Sequence, residues 1–130
     1  MKTLFGDFTS ALARLREVLE MPKTDVVRDS AIKRFELCFD VCWKNMKECA
    51  RQEGEECNSP SSCIKTAYRL GLIPYDEKWL DMLKDRNTSV HIYKISLAEE
   101  VYGKIPSYIP LFEYIHGTLK QRMTAQDSLI

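Results

Sequence analysis

The chain has 130 residues and a mass of 15.1 kDa, the size of one domain with a substantial hydrophobic core. Hydrophobic residues make up 45% and charged residues 29%, which excludes a disordered chain, and 19 basic residues balance 19 acidic ones, which excludes a strongly basic nucleic-acid coat protein. Its apolar runs are far shorter than the ~20 residues of a membrane-spanning helix. Gly6 and Asp7 interrupt the place where a signal peptide has its apolar core, so we expect a cytoplasmic protein without a membrane partner.

Two amphipathic helices are predicted in the N-terminal part of the chain. In the first, apolar side chains recur at steps of three and four, the spacing of one helix face. They are Phe5, Phe8, Leu12, Leu15 and Leu19. Pro22 ends this helix, and Thr24 or Asp25 is placed to cap the second. The second helix repeats the spacing from Val27 to Cys49 and has a broad apolar face, so we expect it at the centre of a helical bundle.

Shorter helices are predicted in the middle of the chain. Residues 52–59 are polar, which indicates a loop. Ser59 then precedes Pro60, the favoured order of a capping residue and a first helical residue, and the helix that follows ends at Gly71. Asp76 is placed to cap the next helix.

A last helix is predicted in the C-terminal part of the chain. Ser96 and Glu99 have the spacing of a capping box. The last helix has apolar positions from Ile105 to Leu119, and Pro106 would be accepted in its first turn.

No segment alternates for long enough with the period of two that a β-strand requires. The sequence therefore predicts an all-α fold, an antiparallel four-helix bundle with an additional short helix. We expect the bundle domain to span residues 1–123 and residues 124–130 to form a frayed tail. The broad apolar face of the second helix leaves surface for a second copy, so we also expect a homodimer.

The five cysteines form two groups. Cys38, Cys42 and Cys49 lie on one face of the second helix, whereas Cys57 and Cys63 flank a loop. An odd count without an export signal fits a reducing compartment, where free cysteine packs as a small apolar residue. A zinc site is the alternative, but no Cys-x2-Cys pair exists and the two histidines lie far downstream. We therefore expect core cysteines and no metal.

The segment from Asp85 to Tyr93 concentrates side chains that carry chemistry. Arg86 has a permanent charge on a planar fork that matches phosphate oxygens, and His91 can exchange a proton near neutral pH. Together they would clamp a phosphodiester and move protons during its cleavage, without a metal or cofactor. The alternative is a plain helix end in which His91 is structural. His116 has no polar cluster around it and is predicted to be a packing residue.

Helix geometry constrains this site. On a regular helix Arg86 and His91 are about 140° apart around the axis, whereas Asn87 and His91 share a face. Either the helix is interrupted at the two hydroxyl residues after Asn87, or the arginine bends round, or a second subunit completes the site. Tyr93 would lie about 160° from His91 on a helix, so we do not expect it to be a direct catalytic partner.

The string Arg86-x4-His91-x-Tyr93 resembles the R-x4-H-x-Y signature of HEPN-domain proteins, and specifically their branch of nucleotidyltransferase substrate-binding proteins. Further segments match in the order of that family. They are Arg28–Glu36, Trp43–Lys44, Ser59–Pro60, Gly71–Ile73, Trp79 and Arg86–Asn87. The resemblance runs from about Phe5 to Leu119, which is nearly the whole chain.

The resemblance implies a dimeric four-helix bundle with the arginine and histidine of both subunits near the interface. It also implies a partner, an MNT-type nucleotidyltransferase encoded by the adjacent gene. One implied function is a metal-independent ribonuclease toxin that the partner silences by adding AMP to the motif tyrosine. The other is a non-catalytic subunit that binds the nucleotide substrate of the partner. Residue by residue, Arg86 and His91 take the catalytic positions, Asn87 a supporting polar position and Tyr93 the position of the modified phenol.

Polar side chains also interrupt the matched stretch of the second helix. Arg34 and Lys44 either belong to a solvated face with ion pairs, or form a polar rim beside the Arg86 and His91 site that holds phosphates. An unrelated homodimeric helical scaffold, whose motif is only a helix end, is the third functional hypothesis. The intact Arg86, His91 and Tyr93 favour the ribonuclease, because a pure adaptor has no chemical need for all three.

Overall fold

The computed structural model describes the backbone of residues 2–128 and the side chains of residues 4–124. This part of the chain contains five α-helices, one 3-10 turn and no β-strand, which confirms the all-α prediction. In chain order they are α1 (Lys2–Leu19), α2 (Asp25–Gln52), α3 (Pro60–Arg69), α4 (Lys78–Thr88), the 3-10 turn (Ser89–His91) and α5 (Ile95–Ser128). None of the described helices is both long enough and apolar enough to cross a membrane.

Several helix ends follow the predicted capping residues. Thr24 Oγ1 accepts a hydrogen bond from the Val27 backbone N–H at 3.0 Å, which caps the start of α2. Ser59 and Ser62 form a reciprocal capping box at the start of α3. Just beyond the end of α3, Gly71 has a φ of +78°, a conformation that glycine adopts without a steric penalty. These local signals set both ends of α3 and the start of α2.

Contacts between α1 and α2 show that these two helices run antiparallel. The Asn45 amide donates to the Leu4 carbonyl at 3.1 Å, and the Arg34 guanidinium donates to the Arg14 carbonyl at 2.8 Å. The start of one helix therefore lies beside the end of the other.

Helix α4 also runs antiparallel to α2. Arg86, near the end of α4, contacts Asp40, whereas Ser89, just past that end, contacts the earlier Glu36.

Helix α5 runs parallel to α2. Glu99, near the start of α5, pairs with Arg28 at 3.1 Å, and Arg122, near its end, pairs with Glu53 at 3.2 Å. Helices α1, α2, α4 and α5 therefore alternate in direction along the chain, as in an antiparallel four-helix bundle, and α3 is the additional short helix.

The hydrophobic core is built around α2. Its fully buried apolar side chains are Ala31, Ile32, Phe35, Cys38, Phe39, Cys42, Met46 and Ala50. Phe35 stacks on Tyr108 of α5, with ring centroids 5.8 Å apart, and also contacts Phe112. The predicted central position of the second helix is confirmed, because α2 packs against α1, α3, α4 and α5.

The cysteines confirm one prediction and correct another. Cys38, Cys42 and Cys49 are buried and free, and burial raises the pKa of the Cys42 thiol, which keeps it protonated. Cys57 and Cys63 are instead joined by a disulfide, because the first turn of α3 brings their Cα atoms to 5.1 Å. Among the described residues, no group of three or more acidic, histidine or cysteine side chains is arranged to hold a metal ion.

The predicted start of the last helix is wrong. Helix α5 is continuous and contains both Pro106 and Pro110 in its interior, and Glu99 bonds to α2 rather than closing a capping box. Burial of one face of α5 from Ala98 to Leu119 compensates for the hydrogen bonds that the two prolines remove. The helix continues to Ser128, so most of the backbone of residues 124–130, predicted as a frayed tail, is helical; the last two residues lie outside the described part.

His116 is a packing residue, as predicted. Its ring stacks on Phe5 with centroids 4.7 Å apart and meets the edge of Phe8 at 5.4 Å, while its Nε2 lies 2.8 Å from Thr9 Oγ1. Burial lowers the pKa of His116, so its ring is neutral at pH 7. This histidine joins α5 to α1 and leaves His91 as the histidine available for chemistry.

Candidate functional site at the end of helix α4

A buried carboxylate attaches the last turn of α4 to α5. Asp85 is 5% exposed, and the Tyr108 hydroxyl donates a hydrogen bond to its Oδ2 at 2.5 Å. The Lys104 ammonium lies 3.6 Å from the other carboxylate oxygen. Burial and the Asp85 charge raise the pKa of Tyr108, so its phenol stays protonated and remains a donor. The position of the next residue, Arg86, therefore depends on α5 as well as on α4.

Arg86 is held by two acidic residues of α2. Its Nε and Nη2 each donate to one oxygen of Asp40 at 3.0 Å, a bidentate ion pair. Its Nη1 donates to Ser89 Oγ at 3.3 Å and lies 3.5 Å from a Glu36 oxygen. The buried Ser89 hydroxyl in turn donates to Glu36. The hydrogen bonds that Arg86 donates to Asp40 raise the pKa of Arg86, which therefore stays charged.

The ion pair leaves part of the Arg86 fork available to a ligand. A guanidinium has five N–H groups, and Asp40 and Ser89 accept hydrogen bonds from three of them. Of the two that remain, one is on Nη2 and one is on Nη1, which also lies 3.5 Å from the Glu36 oxygen. The Arg86 side chain is thus held in one orientation by contacts within the chain.

Asp40 is the partner of Arg86 that sequence reasoning missed. Glu36, Asp40 and Lys44 are spaced by four residues and therefore share one face of α2, which is the signal that was available. That spacing predicts a polar stripe, but it does not show which element the stripe faces. The partner Arg86 lies 46 positions further along the chain.

The structure corrects the predicted separation of His91 and Tyr93. Helix α4 ends at Thr88, and a 3-10 turn followed by a reversal of the chain replaces the regular helix on which the expected angle was based. The Tyr93 hydroxyl lies 3.4 Å from His91 Nδ1, and the two rings meet edge to face with centroids 5.8 Å apart. Tyr93 is 73% exposed, so its phenol is both accessible and adjacent to His91.

Arg86 and His91 line different grooves on the surface of one chain. The Arg86 groove, of about 410 Å³, is lined by Phe39, Asp40, Trp43, Lys44, Pro60, Leu83, Arg86, Asn87 and Val90. The His91 groove, of about 380 Å³, is lined by Leu80, Leu83, Lys84, Asn87, Thr88 and His91. Leu83 and Asn87 line both grooves, so the two grooves adjoin. Within one chain the two predicted catalytic side chains therefore open into two adjoining grooves and not into one.

The two further residues predicted to bind phosphate lie in different places. Lys44 lines the Arg86 groove, so the structure brings it to the site. Arg34 instead contacts α1, where its guanidinium donates to the Arg14 carbonyl at 2.8 Å and lies 3.4 Å from Glu17. Through these contacts Arg34 links α2 to α1.

The family match covers almost the entire chain. Residues 3–121 match the family described as nucleotidyltransferase substrate binding protein like. The chain belongs to this family. The resemblance drawn from the sequence is thereby confirmed. A relative from Haemophilus influenzae, named probable ribonuclease HepT, is 26% identical to this chain over 103 residues. The match covers 75% of this chain and 70% of the relative.

Two solved structures have the same fold as this chain. A Thermus thermophilus protein aligns with a TM-score of 0.80 and 36% identity, over 86% of this chain and 98% of its own. A Haemophilus influenzae protein, described as having the fold of a substrate binding domain of a nucleotidyltransferase, aligns with a TM-score of 0.80 and 21% identity, over 89% of this chain and 98% of its own. At 21% identity, the second comparison shows similarity of fold only.

Proposed function

We propose that this protein is a HEPN-type ribonuclease toxin that cleaves RNA without a metal and is paired with an MNT-type nucleotidyltransferase as its antitoxin. The observation that carries the proposal is the end of α4, where a charged Arg86 is oriented by Asp40 and an exposed His91 follows after one short turn. The family match and the name of the Haemophilus influenzae relative support it.

The two side chains have complementary tasks in phosphodiester cleavage. Arg86 stabilises the negative charge that grows on the phosphate in the transition state, through the N–H groups that Asp40 leaves available. His91 takes a proton from the 2′-hydroxyl or gives one to the leaving oxygen. Arg86 and His91 open into different grooves of one chain. A two-fold dimer would bring the Arg86 and His91 side chains of both subunits into one shared cleft.

Tyr93 is the proposed control point. The phenol oxygen would attack the α-phosphorus of ATP in the active site of the partner, pyrophosphate would leave, and the phenol would lose its proton. The tyrosine would then carry AMP beside His91, where its bulk and negative charge would exclude RNA. The exposure of Tyr93 supports this role, because a partner enzyme must reach the phenol.

Cleavage by the purified protein and its variants tests the proposal. We expect cleavage of single-stranded RNA in the presence of a chelator. Arg86→Ala and His91→Ala should each lower kcat/KM by about 10²-fold or more, the scale for loss of a charge donor or of an acid–base group.

A matched control is Arg16→Ala. Arg16 pairs on the surface with Glu113 at 2.8 Å, so its loss removes a cation of the same kind from another part of the bundle. We expect near-normal cleavage from this variant. If His91→Ala cleaves RNA as fast as the parent, His91 does not carry the reaction.

The second candidate is a non-catalytic subunit that binds the substrate of the nucleotidyltransferase. The observation that favours it is the compensation of Arg86 by Asp40 and Glu36, which lowers the charge available to a transition state. Nucleotide binding without cleavage of any RNA, together with increased activity of the partner enzyme, would support this role over the ribonuclease.

A further inference from the structure

The two tryptophans of the chain have different environments. Trp79 is 3% exposed and packs edge to face on Phe112 in the core. Trp43 is only partly buried, because part of its ring contacts the core and the rest lines the Arg86 groove. An indole that lines a groove beside a charged guanidinium is not explained by packing alone.

The groove combines the groups that bind a nucleotide. The Trp43 indole offers an aromatic face, Lys44 a cation, Arg86 a charged fork and Asn87 an amide with both donors and an acceptor. A volume of about 410 Å³ is within the range of sites that hold a small ligand, and it is large enough for a base with its sugar and phosphate.

The charge of the groove indicates how a nucleic acid would be held. Asp40 and Glu36 already compensate Arg86, so the site has little surplus positive charge to attract a phosphate backbone. Contact with a base must therefore supply much of the affinity. Stacking on an aromatic ring does so for every base, because each base has a π-face.

We propose that Trp43 is a stacking platform for an unpaired nucleobase, next to the phosphate that Arg86 holds. Asn87 contacts the edge of that base and Lys44 the neighbouring phosphate. Only an unpaired base can enter, because the faces of a paired base are covered by its neighbours in the helix. The proposal rests on the proposed ribonuclease function for the choice of RNA, and it names single-stranded RNA as the substrate class.

Fluorescence of Trp43 tests this site. The measurement uses the full-length His91→Ala protein, which should bind RNA without cleaving it, and a short oligoadenylate as the probe. We expect the RNA to quench emission, whereas ribose 5-phosphate, which lacks a base, leaves it unchanged. The same titration of His91→Ala/Trp43→Phe reports Trp79 alone and should show little response, since Trp79 is buried.

Affinity for fluorescently labelled oligoadenylate, measured by anisotropy, provides a second readout. Trp43→Leu should weaken binding by about 5- to 100-fold, the range for loss of one stacked base, and Trp43→Phe should retain part of the affinity. Tyr75→Leu is the matched control, because it removes an aromatic ring that is 69% exposed outside the groove. If Trp43→Leu does not fold, the quenching experiment with Trp43→Phe decides the question.

Two results would overturn the proposal. One is equal quenching by oligoadenylate and by ribose 5-phosphate, or unchanged affinity after Trp43→Leu. The other is Trp43 emission that changes with protein concentration and not with RNA, which would show that a second copy of the chain covers the indole. Base-dependent quenching in a wild-type protein that cleaves no RNA would leave the stacking site in place and contradict only the ribonuclease function.

Discussion

Arg86 shows how the orientation and the effective charge of one side chain depend on its neighbours. Asp40 fixes the guanidinium through two hydrogen bonds of 3.0 Å, and the same carboxylate lowers the net positive charge of the groove. In the proposed reaction, Asp40 would therefore favour catalysis by orienting Arg86, and it would weaken RNA binding by reducing the positive charge of the groove. A substitution at Asp40 separates these two effects.

Replacing Asp40 by asparagine should lower kcat without weakening RNA binding. The amide keeps one acceptor for Arg86 but loses the other and the negative charge, so the guanidinium is less well oriented while the groove repels phosphate less. We expect kcat to fall by roughly tenfold or more and KM to stay equal or decrease.

The control for this variant is Asp81→Asn, which removes an exposed carboxylate from α4 away from the guanidinium. It should change neither constant appreciably. A raised KM with an unchanged kcat in Asp40→Asn would contradict the positioning role.

Tyr93 allows a direct test of the regulatory proposal. After co-expression with the proposed partner, an MNT-type nucleotidyltransferase, we expect the intact mass to increase by one or more adenylyl groups and cleavage to be lost. Tyr93→Phe should show no increase, whereas Tyr75→Phe, which alters another tyrosine that is 69% exposed, should be modified like the wild type. Stable complex formation without a mass change would instead indicate inhibition by binding alone.

At the scale of secondary-structure elements, the site depends on how α4 is attached to its neighbours. The helix presents Arg86 to α2 on one side and buries Asp85 against Tyr108 of α5 on the other. Consecutive residues therefore tie one turn of α4 to two different helices. This double attachment explains how a short helix of 11 residues can hold a defined site.

Removal of the Tyr108 hydroxyl should destabilise the fold measurably. Tyr108→Phe leaves the buried Asp85 carboxylate without its donor, for which we expect a loss of about 1–3 kcal/mol in the free energy of unfolding. Tyr114→Phe, on the same helix but 55% exposed, should lie within about 0.5 kcal/mol of the wild type. Urea unfolding of both variants checks this, and equal midpoints would mean that the Asp85–Tyr108 bond adds no stability.

At the scale of the whole molecule, the exposed apolar surface near the site fits the proposed dimer. Leu80 is 50% exposed and lines the His91 groove together with Leu83. A second copy that covers this face would bury apolar area and bring a second motif to the cleft.

A charge at Leu80 should therefore dissociate the dimer and lower cleavage together. Burying an unpaired carboxylate in an apolar interface is costly, so we expect Leu80→Asp to weaken dimerisation by roughly tenfold or more. Val26→Asp, at a side chain that is 78% exposed at the start of α2, should leave both unchanged. Analytical ultracentrifugation and cleavage over the same protein concentrations provide the comparison; full cleavage by a monomer would contradict it.

The sequence by itself determined the features that depend on a few neighbouring residues. The positions of α1 and α2, the caps at Thr24 and Ser59, and the end of α3 before Gly71 all follow from apolar spacing and local capping. The segment around Arg86 and His91 was identifiable for the same reason, because its side chains are close in sequence. Helical periodicity and capping act over one or two turns, so their signals are complete within a short window.

Only the tertiary structure decided what each of these residues faces. The pairing of Arg86 with Asp40 joins positions 46 apart, and the 3-10 turn that brings Tyr93 to His91 follows from how the chain must leave α4 to enter α5. The continuation of α5 through Pro106 is likewise set by its packing against the core, which outweighs a local preference for a helix start. Such contacts depend on the relative placement of whole helices, which no short window of sequence contains.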